Sequence, residues 1–149
     1  MEKATPERKS RLDAWREFAN VGVPKMRRHP HDEEHRLQVA CVRWFRLQYP
    51  DFAHALFAVP NGGRRDITTG AKLKAEGALA GVSDLILLKS TTKYSALLIE
   101  MKTPKGVQSE SQKEWQRKIT ASGEYRYVVC RSLDGFISEV RDYLGNSTL

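Results

Sequence analysis

Residues 81–102 read GVSDLILLKSTTKYSALLIEMK, and the architecture follows from how this stretch is parsed. Two apolar runs, DLILL (84–88) and ALLIEMK (96–102), flank a polar segment, KSTTKYS (89–95), in the manner of two strands joined by a turn. Side chains alternate across a strand, so Glu100 and Lys102 project to one face with Leu98, while Leu97, Ile99 and Met101 project to the other. Asp84 stands at the mouth of the first strand, and Glu100 and Lys102 at the end of the second. Charged groups beside a core are costly unless they are paired, hydrated or bound to metal. Two carboxylates converging on one point suit a hard divalent cation such as Mg2+ or Mn2+. A lysine two residues on can hold a water or an anionic oxygen at the same place. Such an ion can activate water and stabilise a phosphoryl transition state. The same spacing also describes a plain hairpin with charges at its exposed end, and spacing does not choose between the two.

Before this stretch, DEEHRLQVACVRWFRLQY (32–49) places Leu37, Ala40, Cys41, Trp44 and Phe45 at helical spacing. Asp32 is its expected cap, Glu33 and Glu34 suit the positive end of the helix, and Pro50 ends it. Glu34 and Gln38 share a face, but Glu34 taken alone reads as an ordinary first-turn acid. ALFAVP (55–60) reads as a short strand closed by Pro60 and the turn Asn61-Gly62-Gly63, with Arg64 and Arg65 directly after. A glycine-rich loop with adjacent arginines can approach phosphates closely. It lacks the G-x4-G-K-[ST] spacing of a P-loop, which excludes that reading. ITTGAKLKAEGAL (67–79) continues into a short helix carrying Lys72 and Lys74 and closing at Gly77. Gly81 then supplies the turn that leads to Asp84.

Beyond Lys102, SESQKEWQRKITASG (109–123) is a helix whose Ser109 and Gln112 have capping-box spacing. Trp115 and Ile119 face inward, and Gly123 terminates the helix. EYRYVVC (124–130) adds a strand and LDGFISEVRDYL (133–144) a final amphipathic helix. The organisation is thus a basic N-terminal arm (1–31), a main domain (32–145) and a frayed tail (146–149). In the arm, Pro6 can open a short helix with a stripe of Leu12, Trp15 and Phe18 or Ala19, before Gly22 and Pro24 break it. The basic segment KMRRHPH (25–31) follows. The arm is open to three readings: contact with DNA, docking on a second subunit, or mobility.

A chain of 149 residues is long enough for one domain with a real core. The formal charge of +7, from 25 basic and 18 acidic residues, favours a polyanionic partner. Mean hydropathy is −0.54, and no run approaches the roughly 18 apolar residues of a membrane span. The N-terminal MEKATPERKSRLDAW has no apolar stretch of the secretory kind, so an intracellular, cytoplasmic location is expected. Cys41 and Cys130 are too few and too far apart for a zinc motif and read as buried small residues. His29, His31, His35 and His54 do not build a zinc site; they read as solvated or nucleic-acid-facing.

Five pieces in order resemble the VRR-NUC family, a branch of the PD-(D/E)xK nucleases. They are the helix beginning EHRLQ, the turn VPNGGRR, the run TGAKLKAEGALAGVSDLILL, the strand LLIEMKTPKG, and SESQKEWQ. The resemblance covers most of the chain, with one departure: Ser83-Asp84 stands where the family usually shows Pro-Asp. It implies a restriction-endonuclease-like α/β/α core with a mixed central β-sheet flanked by helices, and metal-dependent hydrolysis of DNA. By the resemblance, Asp84 and Glu100 would be the principal ligands of Mg2+ or Mn2+, assisted by the Met101 backbone carbonyl. Glu34 would join them directly or through water, Lys102 would orient the attacking water, and Gln112 would position Lys102 or the substrate. Asn61, Arg64, Arg65, Lys72 and Lys74 would bind substrate. Stand-alone family members, known from phages and bacteria, imply a homodimer acting on branched DNA such as four-way junctions. A non-catalytic DNA-binding module on the same fold and a small-molecule metallohydrolase are the competing readings; the basic charge disfavours the latter.

Overall fold

The computed structural model describes residues 32–60 and 67–145. The expectations for the N-terminal arm, for Asn61, Arg64 and Arg65, and for the tail lie outside the described residues. The elements run α1 (Glu33–Gln48), a 3-10 helix (Pro50–Ala55), β1 (Leu56–Ala58), α2 (Ile67–Ala75), β2 (Leu85–Leu87) and β3 (Ala96–Met101). They continue with α3 (Glu110–Ile119), β4 (Tyr125–Cys130) and α4 (Leu133–Gly145). Among the described residues no helix is long and apolar enough to cross a membrane.

The four strands form one sheet in the order β1-β2-β3-β4. The hairpin expected from residues 81–102 is present: β2 pairs antiparallel with β3, setting Leu85 opposite Ile99 and Leu87 opposite Leu97. Its turn is tightened by Thr91, whose hydroxyl oxygen accepts the N–H groups of Lys93 and Tyr94. β1 adds antiparallel to β2, while β4 runs parallel to β3 with Leu98 opposite Tyr127 and Met101 opposite Cys130. A parallel pair cannot be joined by a tight turn, and α3 supplies the crossover. The sheet is therefore mixed, as expected.

Every residue of β3 is buried, because helices cover both faces of the sheet. On the face bearing Leu97, Ile99 and Met101, the core is completed by Cys41 and Phe45 of α1 and by Phe136, Val140 and Tyr143 of α4. Burying each such large side chain contributes about 1.5–3 kcal/mol. Trp44 meets Phe136 edge-on, with centroids 6.0 Å apart, where α1 and α4 pack together. Tyr143 donates its hydroxyl to the Lys89 carbonyl at 2.6 Å, tying α4 to the hairpin turn. Both cysteines are buried free thiols, pushed up to about 12 by burial, and act as core residues.

Two local expectations change. Asp32 occupies the cap position of α1 but makes no side-chain capping bond; its backbone (φ −101°, ψ 15°) is not the extended form that aims a cap side chain at the first turn. No residue of α3 is fully buried, so Trp115 and Ile119 cover the opposite sheet face only partly. The capping box at Ser109 and Gln112 is formed as expected.

Gly81 earns its place sterically. Its φ is +86°, and a Cβ there would stand 2.2 Å from the Ser111 carbonyl oxygen. The loop before β2 is thus pressed onto the first turn of α3, next to Gln112. Gly81→Ala is expected to lower stability by at least about 2 kcal/mol, from left-handed strain plus the backbone clash. A thermal melt reads this as a drop of several degrees; an unchanged Tm would mean that this contact is not held in solution.

Candidate active site

The C-terminal end of β3 gathers the charged residues. Glu100 is 0% exposed and Lys102 8%, so these are not charges at a solvated hairpin end. The Lys102 ammonium lies 2.9 Å from Glu100 Oε1. Lys102 extends the ladder past β3, its N–H donating to the Cys130 carbonyl at 3.0 Å. Gln112 donates its amide to the same Oε1, and the Tyr127 hydroxyl donates to Oε2 at 3.2 Å.

Gln112 is aimed by its capping role. Its Oε1 accepts the Ser109 N–H at 2.8 Å, which turns its NH2 group toward Glu100. One side chain therefore closes the start of α3 and grips the carboxylate of β3.

Asp84, just ahead of β2, accepts the Met101 N–H on Oδ2 at 2.7 Å. This bond replaces a sheet contact with a carboxylate and holds Asp84 against the end of β3. Glu34 arrives from the first turn of α1, where its Oε1 accepts the Thr103 N–H at 3.3 Å. The loop after Lys102 is shaped for this approach: a Cβ on Gly106 would lie 3.3 Å from Glu34 Oε1. Arg131 pins that loop by donating to the carbonyls of Thr103 and Gly106 at 2.8 and 2.6 Å.

Glu34, Asp84 and Met101 line one cleft of about 350 Å³, together with His35 and Gln38 of α1 and Pro60 beyond β1. Glu100, Lys102 and Gln112 form the buried network adjoining it. Burial raises the Glu100 carboxyl above its usual range and the nearby Asp84 adds to the rise, against the pull of Lys102 and Tyr127. Burial works to discharge Lys102, but Glu100, and behind it Glu34 and Asp84, outweigh it and raise its value, so the ammonium stays charged. Tyr127 is raised by burial and by the Glu100 charge, and stays a protonated donor.

Of the residues expected to bind substrate, Lys72 and Lys74 are described, and both are exposed on α2. Neither lines the cleft. Leu73 borders a second groove with Val59 and Pro60, residues that also edge the cleft, which places α2 at its side. Lys72 pairs loosely with Glu76 at 3.9 Å. Among the described residues no group of three or more His, Cys, Asp or Glu side chains stands in a metal-holding arrangement.

Two participants were not singled out from the sequence, and a third, His35, reads there as solvated or nucleic-acid-facing. Tyr127 and Gln108 belong to the Glu100 network, and His35 lines the cleft. The position of His35, beside Glu34 and one turn before Gln38 on the same helix, was an available signal. Tyr127 carried none, because only the parallel register of β4 on β3 brings it to Glu100.

A sequence model of the VRR-NUC domain matches residues 31–134. The structure is similar to a solved VRR_NUC domain protein that is 25% identical, with a TM-score of 0.65 over 76% of this chain and 89% of that one. No curated protein matches.

Proposed function

The chain belongs to the VRR-NUC domain family, a nuclease-fold DNA-binding domain, and on that premise we propose that it is a divalent-metal-dependent endonuclease. Its proposed substrate is branched DNA, cut by a homodimer. The observation that carries the reading is the buried Glu100–Lys102 pair adjoining a cleft lined by Glu34 and Asp84. A structural ion pair alone would not need two further carboxylates within electrostatic reach of the same lysine.

In donor type, though not as a gathered cluster of side chains, the described residues suit Mg2+ or Mn2+. Their donors are oxygens, the type that hard cations take. Three carboxylates act on one ammonium, leaving two negative charges for a divalent cation to balance. Asp84, Glu100 and the Met101 carbonyl would hold it, with Glu34 direct or through water. When bound, such an ion supplies Lewis-acid stabilisation of phosphoryl oxygens and a more acidic water.

The chain's own groups divide the remaining work. Lys102, held charged, orients the attacking water or stabilises the developing oxyanion. Gln112 keeps Glu100 in place, and with it Lys102. Lys72 and Lys74, with Asn61, Arg64 and Arg65 of the sequence between β1 and α2, bind the phosphate backbone. The basic arm contributes to the dimer or to the grip on DNA.

The test is cleavage of labelled single-strand, duplex, flap, fork and four-way-junction DNA with Mg2+, Mn2+ or EDTA, alongside Glu100→Ala. Metal-dependent cutting, strongest on a branched substrate and absent from the variant, is expected. Tight binding of junctions with no cutting under any metal would make the protein a non-catalytic DNA-binding module instead.

A further inference from the structure

We infer that Tyr127 is a positioning residue: its hydroxyl, oriented by Gln108, sets the plane of the Glu100 carboxylate and so prepares Glu100 Oε2 to bind a divalent cation. The inference rests on the metal-dependent reading above. It concerns residues to which neither the resemblance nor the cleft assigns a role.

The need for such a residue follows from the glutamate itself. The last torsion of a glutamate side chain is broad and nearly two-fold, so no rotamer well fixes its carboxylate plane. Lys102 and Gln112 both act on Oε1. Two donors on one oxygen hold that atom, and the planar carboxylate can then tilt only if Cγ and Cδ move with it. The Tyr127 bond, at 3.2 Å, is on Oε2, so the carboxylate is held at both oxygens and such a tilt is opposed. Oε2 receives a single donor and retains lone-pair capacity for a cation, whereas Oε1 is committed to two.

A tyrosine hydroxyl could equally turn its hydrogen away from Glu100, and Gln108 prevents this. Its Nε2 lies 3.0 Å from Gln116 Oε1 and 3.2 Å from the Tyr127 oxygen. Both amide hydrogens are thereby directed to acceptors, so the Tyr127 oxygen accepts from Gln108 and its one hydrogen goes to Glu100. The ring is steadied by Trp115, with centroids 6.1 Å apart. The relay thus runs from Gln116 through Gln108 and Tyr127 to Glu100, and couples α3 to the end of β3. Outer partners of this kind typically alter metal affinity by about 10–100-fold when removed.

The experiment is Mn2+ titration by calorimetry of the wild type, Tyr127→Phe, Gln108→Leu and the double variant, each with a thermal melt. Phenylalanine keeps the ring against Trp115, so a merely structural role predicts unchanged Mn2+ affinity. The expected result is Mn2+ binding weakened at least about 10-fold in Tyr127→Phe and less in Gln108→Leu. Because Gln108 acts through Tyr127, its substitution is expected to add nothing in the Tyr127→Phe background. Wild-type affinity in Tyr127→Phe overturns the inference and leaves the nuclease reading standing. Fully additive losses overturn the relay through Gln108. A wild type that binds no Mn2+ overturns both the inference and the metal-dependent reading. Should Tyr127→Phe melt far below the wild type, Gln108→Leu decides, and unchanged Mn2+ affinity in that variant refutes the proposal.

Discussion

Asp84→Asn is expected to leave the protein folded and able to bind DNA while cleavage falls on the order of 1,000-fold or more, since loss of the metal ligand proposed at Asp84 would forfeit several kcal/mol of transition-state stabilisation. Asparagine is the informative replacement. Its side-chain oxygen can still accept the Met101 N–H that Asp84 accepts at 2.7 Å, so the junction of β2 with β3 is preserved. What disappears is the negative charge, and with it a hard oxygen donor. Single-turnover cleavage of a junction substrate in Mg2+, beside a gel-shift titration in EDTA, separates chemistry from binding. Cutting at the wild-type rate would remove Asp84 from the site, whatever the family pattern implies.

Lys102→Met carries the second large effect, and it has two components. Glu100 is wholly buried and would lose the charged partner that lies 2.9 Å from it. Removing one member of a buried pair costs about 3–5 kcal/mol, enough to lower the Tm by roughly 10 °C or more. Cleavage should fall about 100- to 1,000-fold through loss of an electrostatic donor. The stability deficit should shrink as the pH is lowered. Burial already raises the Glu100 carboxyl, and losing Lys102 raises it further. A group whose folded value lies above its unfolded value of about 4.3 stabilises fully below that value, and this contribution is lost as the pH rises through the folded value. The double variant Glu100→Gln with Lys102→Met should regain most of the stability and none of the activity. A Lys102→Met variant that melts with the wild type, or that loses Mn2+ affinity as severely as Asp84→Asn, contradicts the assigned role.

The two variants differ in how far each effect could be anticipated. That Glu100 and Lys102 face one way is a consequence of strand alternation, legible in residues 96–102, whereas their pairing at 2.9 Å came from the structure. That Glu100 is fully buried could not be read there, since an E-x-K at a strand end serves equally well at a solvated edge. That burial is completed by Lys102, by Tyr127 and by α3, whose capping glutamine turns its amide onto the carboxylate.

Glu34 shows the opposite case. As a helix residue it is an ordinary first-turn acid, and only the resemblance marked it for the site. Its contact is the Thr103 N–H, in a loop that follows β3 and is shaped by Gly106 and Arg131. Nothing within a few residues of Glu34 encodes that meeting. Asp32, by contrast, had the right residue type for a cap and does not make the bond, because its backbone is turned otherwise.

Short-range patterns thus carried the hairpin of β2 and β3, the breaks at Pro50 and Gly81, the capping box of α3, and the two strand faces that α1, α3 and α4 cover. Each depends on bonds or sterics spanning only a few residues, which composition and spacing record directly. The tertiary structure alone decided that Glu34 and Asp84 share a cleft, that Glu100 is sealed from water, and that Tyr127 reaches it. Those outcomes depend on the parallel register of β4 on β3 and on how α1 lies across the sheet. Such register is set by the summed packing of a whole core, so no local stretch of residues contains it.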